Sequence, residues 1–102
     1  TMSTPEIEVD LNQKVAQILQ EDANKIVKLI AVQMENLTTR KCPLYEEVLD
    51  TQMYGMSRVV DFAVRAGLIS AAFGKDILNR LERELAQLYE AMNARQAEAK
   101  QE

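Results

Sequence analysis

One cysteine and three acidic side chains lie close together in the sequence, and their types and spacing could hold a metal ion. Glu46 and Asp50 are four positions apart, so in a helix both carboxylates project from one side of successive turns. Glu47 lies beside them, and Cys42 lies one turn before Glu46. Carboxylate oxygens bind hard and borderline divalent cations, and a thiolate adds a softer ligand. The predicted metal site is therefore Cys42, Glu46, Glu47 and Asp50.

The same carboxylates have an ordinary interpretation as part of a polar stripe on a helix surface. Asp61 is spaced to form ion pairs with Arg65 and with Arg58, and a stripe of this kind is typically a solvated face. Cys42 precedes the start of a predicted helix, which favours its thiolate, but a turn cysteine usually has no role. The spacing alone leaves the metal site and the solvated face both open.

Histidine is absent from the chain, and this absence excludes several kinds of site. Ser-His-Asp and Cys-His catalytic arrangements both need an imidazole. Di-iron sites in helical bundles use Glu-x-x-His pairs, so a standard site of that type is excluded as well. No Gly-rich phosphate loop is present. We therefore expect a protein that is not an enzyme, in which any metal is bound by carboxylates, a thiolate and water.

Length and charge narrow the class of protein further. The chain has 102 residues, 47% of them hydrophobic, which suits one domain with one core. Its net charge of -4 argues against direct binding to nucleic acid. No apolar run reaches the ~20 residues of a membrane span, and no signal-peptide pattern opens the sequence. With a single cysteine as well, these features predict a cytoplasmic protein.

The elements that would position these residues are three predicted helices, of which the first spans about residues 10–37. Its apolar side chains recur at spacings of three and four, with Asp10 as a plausible N-cap. They are Val15, Leu19, Ala23, Ile26, Ile30, Met34 and Leu37. A break near Glu21 and Asp22 stays open at this point.

The second helix is predicted over residues 43–66, between Pro43 in its opening turn and Gly67 just past its end. Gly55 in its middle predicts a close helix crossing or a bend, because glycine costs roughly 1 kcal/mol there relative to alanine. Two apolar stripes run along this helix, which suits contact with two neighbours. One stripe is Tyr45, Leu49, Met53, Met56, Val60 and Ala63, and the other is Leu44, Val48, Val59 and Phe62.

The third helix is predicted over residues 70–95, with Ser70 as its N-cap. Its apolar seam is Ile77, Leu78, Leu81, Leu85, Leu88 and Met92. Residues 1–9 are expected to be a flexible tail and residues 96–102 to fray. The predicted fold is all-α, an antiparallel bundle of three long helices. Helices this long leave apolar surface uncovered in a short chain, so we expect a homodimer.

The middle of the chain resembles the YlaN family of small proteins from Gram-positive bacteria. The signature stretch covers residues 42–69, with the sequence CPLYEEVLDTQMYGMSRVVDFAVRAGLI. The resemblance continues through KIVKLIAVQMENLT, Lys25–Thr38, and LERELAQLYEA, Leu81–Ala91. It implies a three-helix cytosolic protein without known catalytic activity. It also implies a role in iron homeostasis, by binding ferrous iron and associating with the ferric uptake regulator, a metal-dependent repressor.

Two functions compete on these observations. The first is a regulatory adaptor that binds Fe(II) and modulates a ferric-uptake-type repressor, whose basic DNA-binding surface suits an acidic partner. The second is a structural protein–protein interaction module in which no metal takes part. An enzyme of unrecognised type ranks last, because the sequence offers no convergent pocket chemistry.

Overall fold

Three α-helices make up the chain in a computed structural model, which describes the backbone of residues 4–37 and 45–101 and the side-chain surroundings of residues 11–37 and 47–95. They are α1 (Thr4–Asn36), α2 (Tyr45–Arg65) and α3 (Ala71–Gln101). No strand occurs within these ranges. The all-α prediction is therefore confirmed.

Helix α1 is continuous through Glu21 and Asp22, and it begins six residues before its predicted start. Asp10 lies inside the helix, so its prediction as an N-cap is wrong. The physical reason is that no glycine or proline interrupts the sequence between Glu6 and Asn36, and Pro5 suits a first helical turn. Residues 1–9 are predicted to be a flexible tail. Their side chains lie outside the described ranges, so this stays a prediction.

Helix α2 ends in the way that its sequence predicts. Gly67 has a φ of 76°, the left-handed conformation that glycine adopts without strain. The Leu68 N–H donates to the Ala63 carbonyl at 2.9 Å, and the Gly67 N–H donates to the Val64 carbonyl at 3.0 Å. These two bonds form a Schellman motif, which reverses the chain after α2. The predicted start at Pro43 lies outside the described residues.

Helix α3 begins after Ser70, whose Oγ accepts a hydrogen bond from the Phe73 N–H at 3.0 Å. Ser70 is therefore the N-cap that the sequence predicts. The helix continues to Gln101, past the predicted end near residue 95. Alanine, glutamine, glutamate and lysine dominate this last stretch and are good helix formers, so the helix does not need large apolar side chains to continue. Fraying of residues 96–102 stays a prediction.

The helices run up, down and up, and each one contacts the other two. The Tyr89 hydroxyl reaches Asp50 near the start of α2, and Arg80 reaches Asn24 in the middle of α1. The core between the helices is built from the predicted apolar seams. Its fully buried apolar side chains are Leu19, Ala23, Ile26, Ile30, Leu49, Met56, Val60, Ala63, Ile77, Leu81 and Leu88.

The seam of α1 departs from its prediction at its last turn. Gln33 is buried at 2% exposure, whereas Met34, which was predicted on the apolar face, is 39% exposed. From Leu19 onwards, the buried positions of α1 are separated alternately by four and three residues. This alternation brings position 33 rather than 34 to the core. The Gln33 Oε1 atom has no hydrogen-bond partner among the described residues. A buried acceptor in this state costs about 1–3 kcal/mol.

The close helix crossing lies at Gly74 on α3 and not at Gly55. A Cβ on Gly74 would stand 2.8 Å from Cγ1 of Val60 and 3.0 Å from Cγ2 of Val64. A Cβ on Gly55 would meet nothing within 4 Å, so no described helix of the same chain crosses closely there. The bend at Gly55, which is the alternative prediction, stays a prediction. Gly55 lies on a side of α2 that no other described helix covers.

The molecule is long and thin, with extents of 72 × 19 × 16 Å. Its radius of gyration is 17.7 Å, compared with about 13 Å for a compact domain of 100 residues. Three helices packed around a thin core cannot cover every apolar stripe. The consequence is an apolar face that stays exposed between α1 and α2.

Candidate functional site: an open apolar face and an acidic helix start

The structure describes only half of the predicted metal ligands. Cys42 lies outside the described residues, and Glu46 lies in α2 but its side chain is outside them too. Glu47 and Asp50 are both exposed near the start of α2. Among the described side chains, no three cysteine or acidic groups are close enough to hold a metal ion. The metal site therefore stays a prediction that needs the two undescribed ligands.

Asp50 already has a partner within the bundle. Its Oδ1 accepts a hydrogen bond from the Tyr89 hydroxyl on α3 at 2.8 Å, which turns the carboxylate towards α3. At an exposed position, a hydrogen bond of this kind contributes about 1 kcal/mol. The second carboxylate oxygen could still bind a cation while the first accepts from Tyr89. Asp50 is thus both a structural link between two helices and a candidate ligand.

The remainder of the polar stripe on α2 follows its ordinary interpretation. Arg65 Nε donates to Asp61 Oδ2 at 3.0 Å, and both side chains are mostly in solvent. This is the first of the two ion pairs that the sequence predicts. Arg58 forms no ion pair with Asp61 among the described residues. An exposed pair four residues apart contributes only ~0.3–0.5 kcal/mol, so this stripe is a solvated face.

Exposed apolar side chains, together called the open face, border the groove between α1 and α2. Ile18, Val59 and Phe62 line one cleft of this groove. Leu11, Val32 and Val48 lie on the same lines of their helices by steps of seven residues. Among the described residues, the open face holds six of the eight large hydrophobic side chains that are exposed to solvent. Phe62 is 59% exposed and Val59 is 50% exposed. The open face consists of Leu11, Ile18 and Val32 on α1, and of Val48, Val59 and Phe62 on α2.

The spacing of the open face follows a heptad pattern. On α1 the positions Leu11, Ile18 and Val32 fall in steps of seven that also pass through Lys25. On α2, Val48 and Phe62 fall in steps of seven that pass through Gly55. A repeat of seven keeps side chains on one line along a helix, which is the pattern of a surface that packs against another helix.

Two clefts lie along this groove. The first, of about 190 Å³, is lined only by apolar side chains, including Val15, Ile18, Val59 and Phe62. The second, of about 540 Å³, lies where Asp22 and Lys25 face Thr51, Gln52 and Gly55. The open face therefore has an apolar section and a polar centre.

Half of the open face is predictable from the sequence. The apolar spacing places Val48, Val59 and Phe62 on a second stripe of α2 and predicts that this stripe contacts a neighbour. Within the chain, the neighbouring helices pack only against the first stripe. The matching line on α1 is not among the predictions. The seven-residue steps from Leu11 through Ile18 to Val32 were the available signal.

None of the described helices is both long enough and apolar enough to cross a membrane.

Comparison with known proteins places the chain in a family. A family model described as "Protein of unknown function (DUF1507)" matches residues 10–94. The chain is 59% identical over 90 residues to the UPF0358 protein YlaN of Bacillus subtilis, covering 88% of this chain and 97% of that one. It is 63% identical over 86 residues to a UPF0358 protein of Brevibacillus brevis, covering 84% and 92% of the two chains.

A third relative, a UPF0358 protein of Anoxybacillus flavithermus, is 60% identical over 88 residues, covering 86% of this chain and 92% of that one. None of these names denotes an enzyme activity. The matched region contains the three stretches that carry the resemblance drawn from the sequence, and it extends over most of the bundle. The chain therefore belongs to this family of small proteins of unknown function, the one that includes YlaN.

Proposed function

We propose that the protein is a non-enzymatic cytoplasmic adaptor that acts by contact with other protein chains. The observation that carries this proposal is the open face, because the exposed side chains of Ile18, Val59 and Phe62 line one apolar cleft between α1 and α2 instead of being scattered singly. Scattered apolar residues are normal on a protein surface, whereas a contiguous patch is a common mark of an interaction site. The heptad spacing favours a helix as the element that covers it.

The iron-responsive form of this adaptor is suggested by the sequence resemblance and by charge. The resemblance implies binding of ferrous iron and modulation of a ferric-uptake-type repressor. The exposed carboxylates of Glu47 and Asp50 offer the oxygen ligands that such an ion accepts, with Cys42 and Glu46 as the other proposed ligands. The net charge of -4 suits docking against a basic, DNA-binding partner.

Anaerobic calorimetry with ferrous iron tests the ligand set. We expect the substitutions Cys42→Ala, Glu46→Ala, Glu47→Ala and Asp50→Ala each to weaken binding by about tenfold or more, because loss of even an outer-shell partner of a metal ligand costs about 10–100-fold. Asp61→Ala is the matched control, because Asp61 is an exposed carboxylate of the same helix that pairs with Arg65. Equal affinity in all five variants would reject the proposed site.

A metal-free interaction module is the second candidate, and the Tyr89–Asp50 hydrogen bond favours it because that bond gives Asp50 a structural role without a metal. The two candidates differ in one measurement. A purified ferric-uptake-type repressor is titrated with the protein, once in chelator and once with ferrous iron. An affinity that changes with iron supports the iron-responsive adaptor, and an unchanged affinity supports the metal-free module.

A further inference from the structure

We infer that the open face is covered by a second copy of this chain, with α1 of each copy lying in the groove between α1 and α2 of the other. This inference rests on the proposal that the open face binds protein, and it names the partner. Three observations support it: the area of surface left exposed, the self-complementary sequence of α1, and the empty space at the centre of the groove.

The exposed area is sufficient for a dimer. The chain exposes 7330 Å² of surface, whereas a globular monomer of its mass exposes about 5,800 Å². The excess is larger than the ~800 Å² that each partner contributes to a stable interface of standard size.

A line of α1 that borders the core pairs with itself when two copies run antiparallel. Its positions alternate in steps of four and three, and they are Val15, Ile18, Asp22, Lys25, Leu29 and Val32. A two-fold axis between Asp22 and Lys25 places Asp22 opposite Lys25 of the second copy. The same register places Ile18 opposite Leu29 of the second copy. Apolar residues then meet apolar residues on both sides of the axis, as the identical surfaces of a two-fold dimer require.

The charged pair at the centre fits this register. Within one copy, Lys25 Nζ lies 3.8 Å from Asp22 Oδ1, and the two side chains are 78% and 47% exposed. A pair this long and this exposed holds its partners weakly. Across the axis, Asp22 and Lys25 form two reciprocal pairs with the second copy, in a site that the apolar residues on either side shield from water.

Gly55 provides the space that the second copy needs. It lines the wide cleft beside Asp22 and Lys25, and nothing lies within 4 Å of the position of a Cβ there. Packing within the chain therefore does not require a glycine at this position. A glycine on one helix allows a neighbouring helix to approach closely, and α1 of the second copy is the helix that occupies this space.

Sedimentation equilibrium on the full chain tests the interface. We expect the wild type to have the mass of two chains at 50 μM, and Phe62→Glu and Ile18→Glu each to raise the dissociation constant by at least about tenfold, as loss of a central apolar contact does. Tyr54→Glu is the matched control, because Tyr54 is 67% exposed on the same helix but lies outside the open face. Circular dichroism checks that each variant remains helical.

A wild-type mass of one chain at this concentration would overturn the inference, as would equal weakening by Tyr54→Glu and Phe62→Glu. Either result leaves the proposed function to its own test, since repressor binding is measured separately. If the wild type is a single chain but Phe62→Glu still abolishes repressor binding, the open face binds a different partner. If repressor binding is absent while the dimer forms, the proposed regulatory role fails and the interface stands.

A charge exchange tests the register independently of folding. In Asp22→Lys, two lysines face each other across the axis, and in Lys25→Asp, two aspartates do, so each variant alone should dimerise at least about tenfold more weakly. A mixture of the two variants places opposite charges across the axis and should restore dimers that contain one chain of each. Absence of such mixed dimers would overturn the antiparallel pairing of α1.

Discussion

At the scale of single residues, two glycines and one glutamine have surroundings that their residue types do not reveal. Gly74 lies where α2 and α3 touch, Gly55 lies in open space, and Gln33 occupies a core position. Of the three, the sequence predicts an unusual position only for Gly55, as a glycine in the middle of a helix. It does not identify which one lies at a helix contact, because that depends on how the helices are rotated against one another.

Replacement of Gly74 by alanine should destabilise the bundle. The added Cβ would stand 2.8 Å from Cγ1 of Val60, so α2 and α3 would have to separate, at a cost of about 1–3 kcal/mol. Glu82→Ala, at an exposed position of α3 that is far from this contact, is the control and should change stability by less than about 0.5 kcal/mol. Urea unfolding at one protein concentration measures both, and a Gly74→Ala variant as stable as the wild type would contradict the close contact.

Replacement of Gln33 by methionine should stabilise the protein. The substitution keeps the side-chain length and removes a buried Oε1 that has no hydrogen-bond partner among the described residues. We expect a gain of about 1–2 kcal/mol in the free energy of unfolding. Gln20→Met, at an exposed position of the same helix, should change it by less than about 0.5 kcal/mol. A loss of stability in Gln33→Met would show that the amide has a partner in solution.

At the scale of helices, a boundary that has its own local hydrogen-bonding or glycine signal is predictable from the sequence. A boundary without such a signal is not. Ser70 and Gly67 act within one turn of their own positions, so the sequence predicts both of these boundaries correctly. Asp10 has the right type for an N-cap, but a helix former on each side lets α1 continue through it. Residue type alone therefore cannot distinguish a used cap from an unused one.

The cap at Ser70 should make a measurable contribution to stability. Ser70→Ala removes the oxygen that accepts from the Phe73 N–H, and the expected loss is about 1 kcal/mol in the free energy of unfolding. Ser57→Ala is the control, since Ser57 Oγ only donates to the Tyr54 carbonyl within α2. Alanine there should be neutral or slightly stabilising. Equal losses at the two positions would argue against a capping role for Ser70.

The link between α2 and α3 should depend on one hydroxyl. Tyr89→Phe removes the donor to Asp50 Oδ1 and should lower the free energy of unfolding by about 1 kcal/mol. Tyr54→Phe removes a hydroxyl from a mostly exposed side chain of α2 and should have little effect. Thermal unfolding followed by circular dichroism compares the two variants, and indistinguishable midpoints would contradict a stabilising role for this hydrogen bond.

At the scale of the whole molecule, the sequence predicts three helices and more apolar surface than they can bury against one another. The structure shows where this uncovered apolar surface lies. The second stripe of α2 was expected to contact a neighbour, but α1 and α3 pack on its first stripe, which leaves Val59 and Phe62 exposed. Periodicity shows that a face is apolar and does not show what covers it. For the candidate metal site, Glu47 and Asp50 are exposed as a solvated stripe would be, and the site depends on the undescribed Cys42 and Glu46 side chains.

The most direct test of the central claim, that the open face is a protein-contact surface covered by a second chain, is the reactivity of a thiol placed on it. Val59→Cys, in a Cys42→Ser background, is modified by a thiol reagent at 1 μM and at 100 μM protein. Tyr54→Cys in the same background is the exposed reference. We expect the thiol at position 59 to react about tenfold more slowly at the higher concentration, because chains associate by mass action, and the thiol at position 54 to react equally at both. Equal rates at position 59 at the two concentrations would contradict a covered open face.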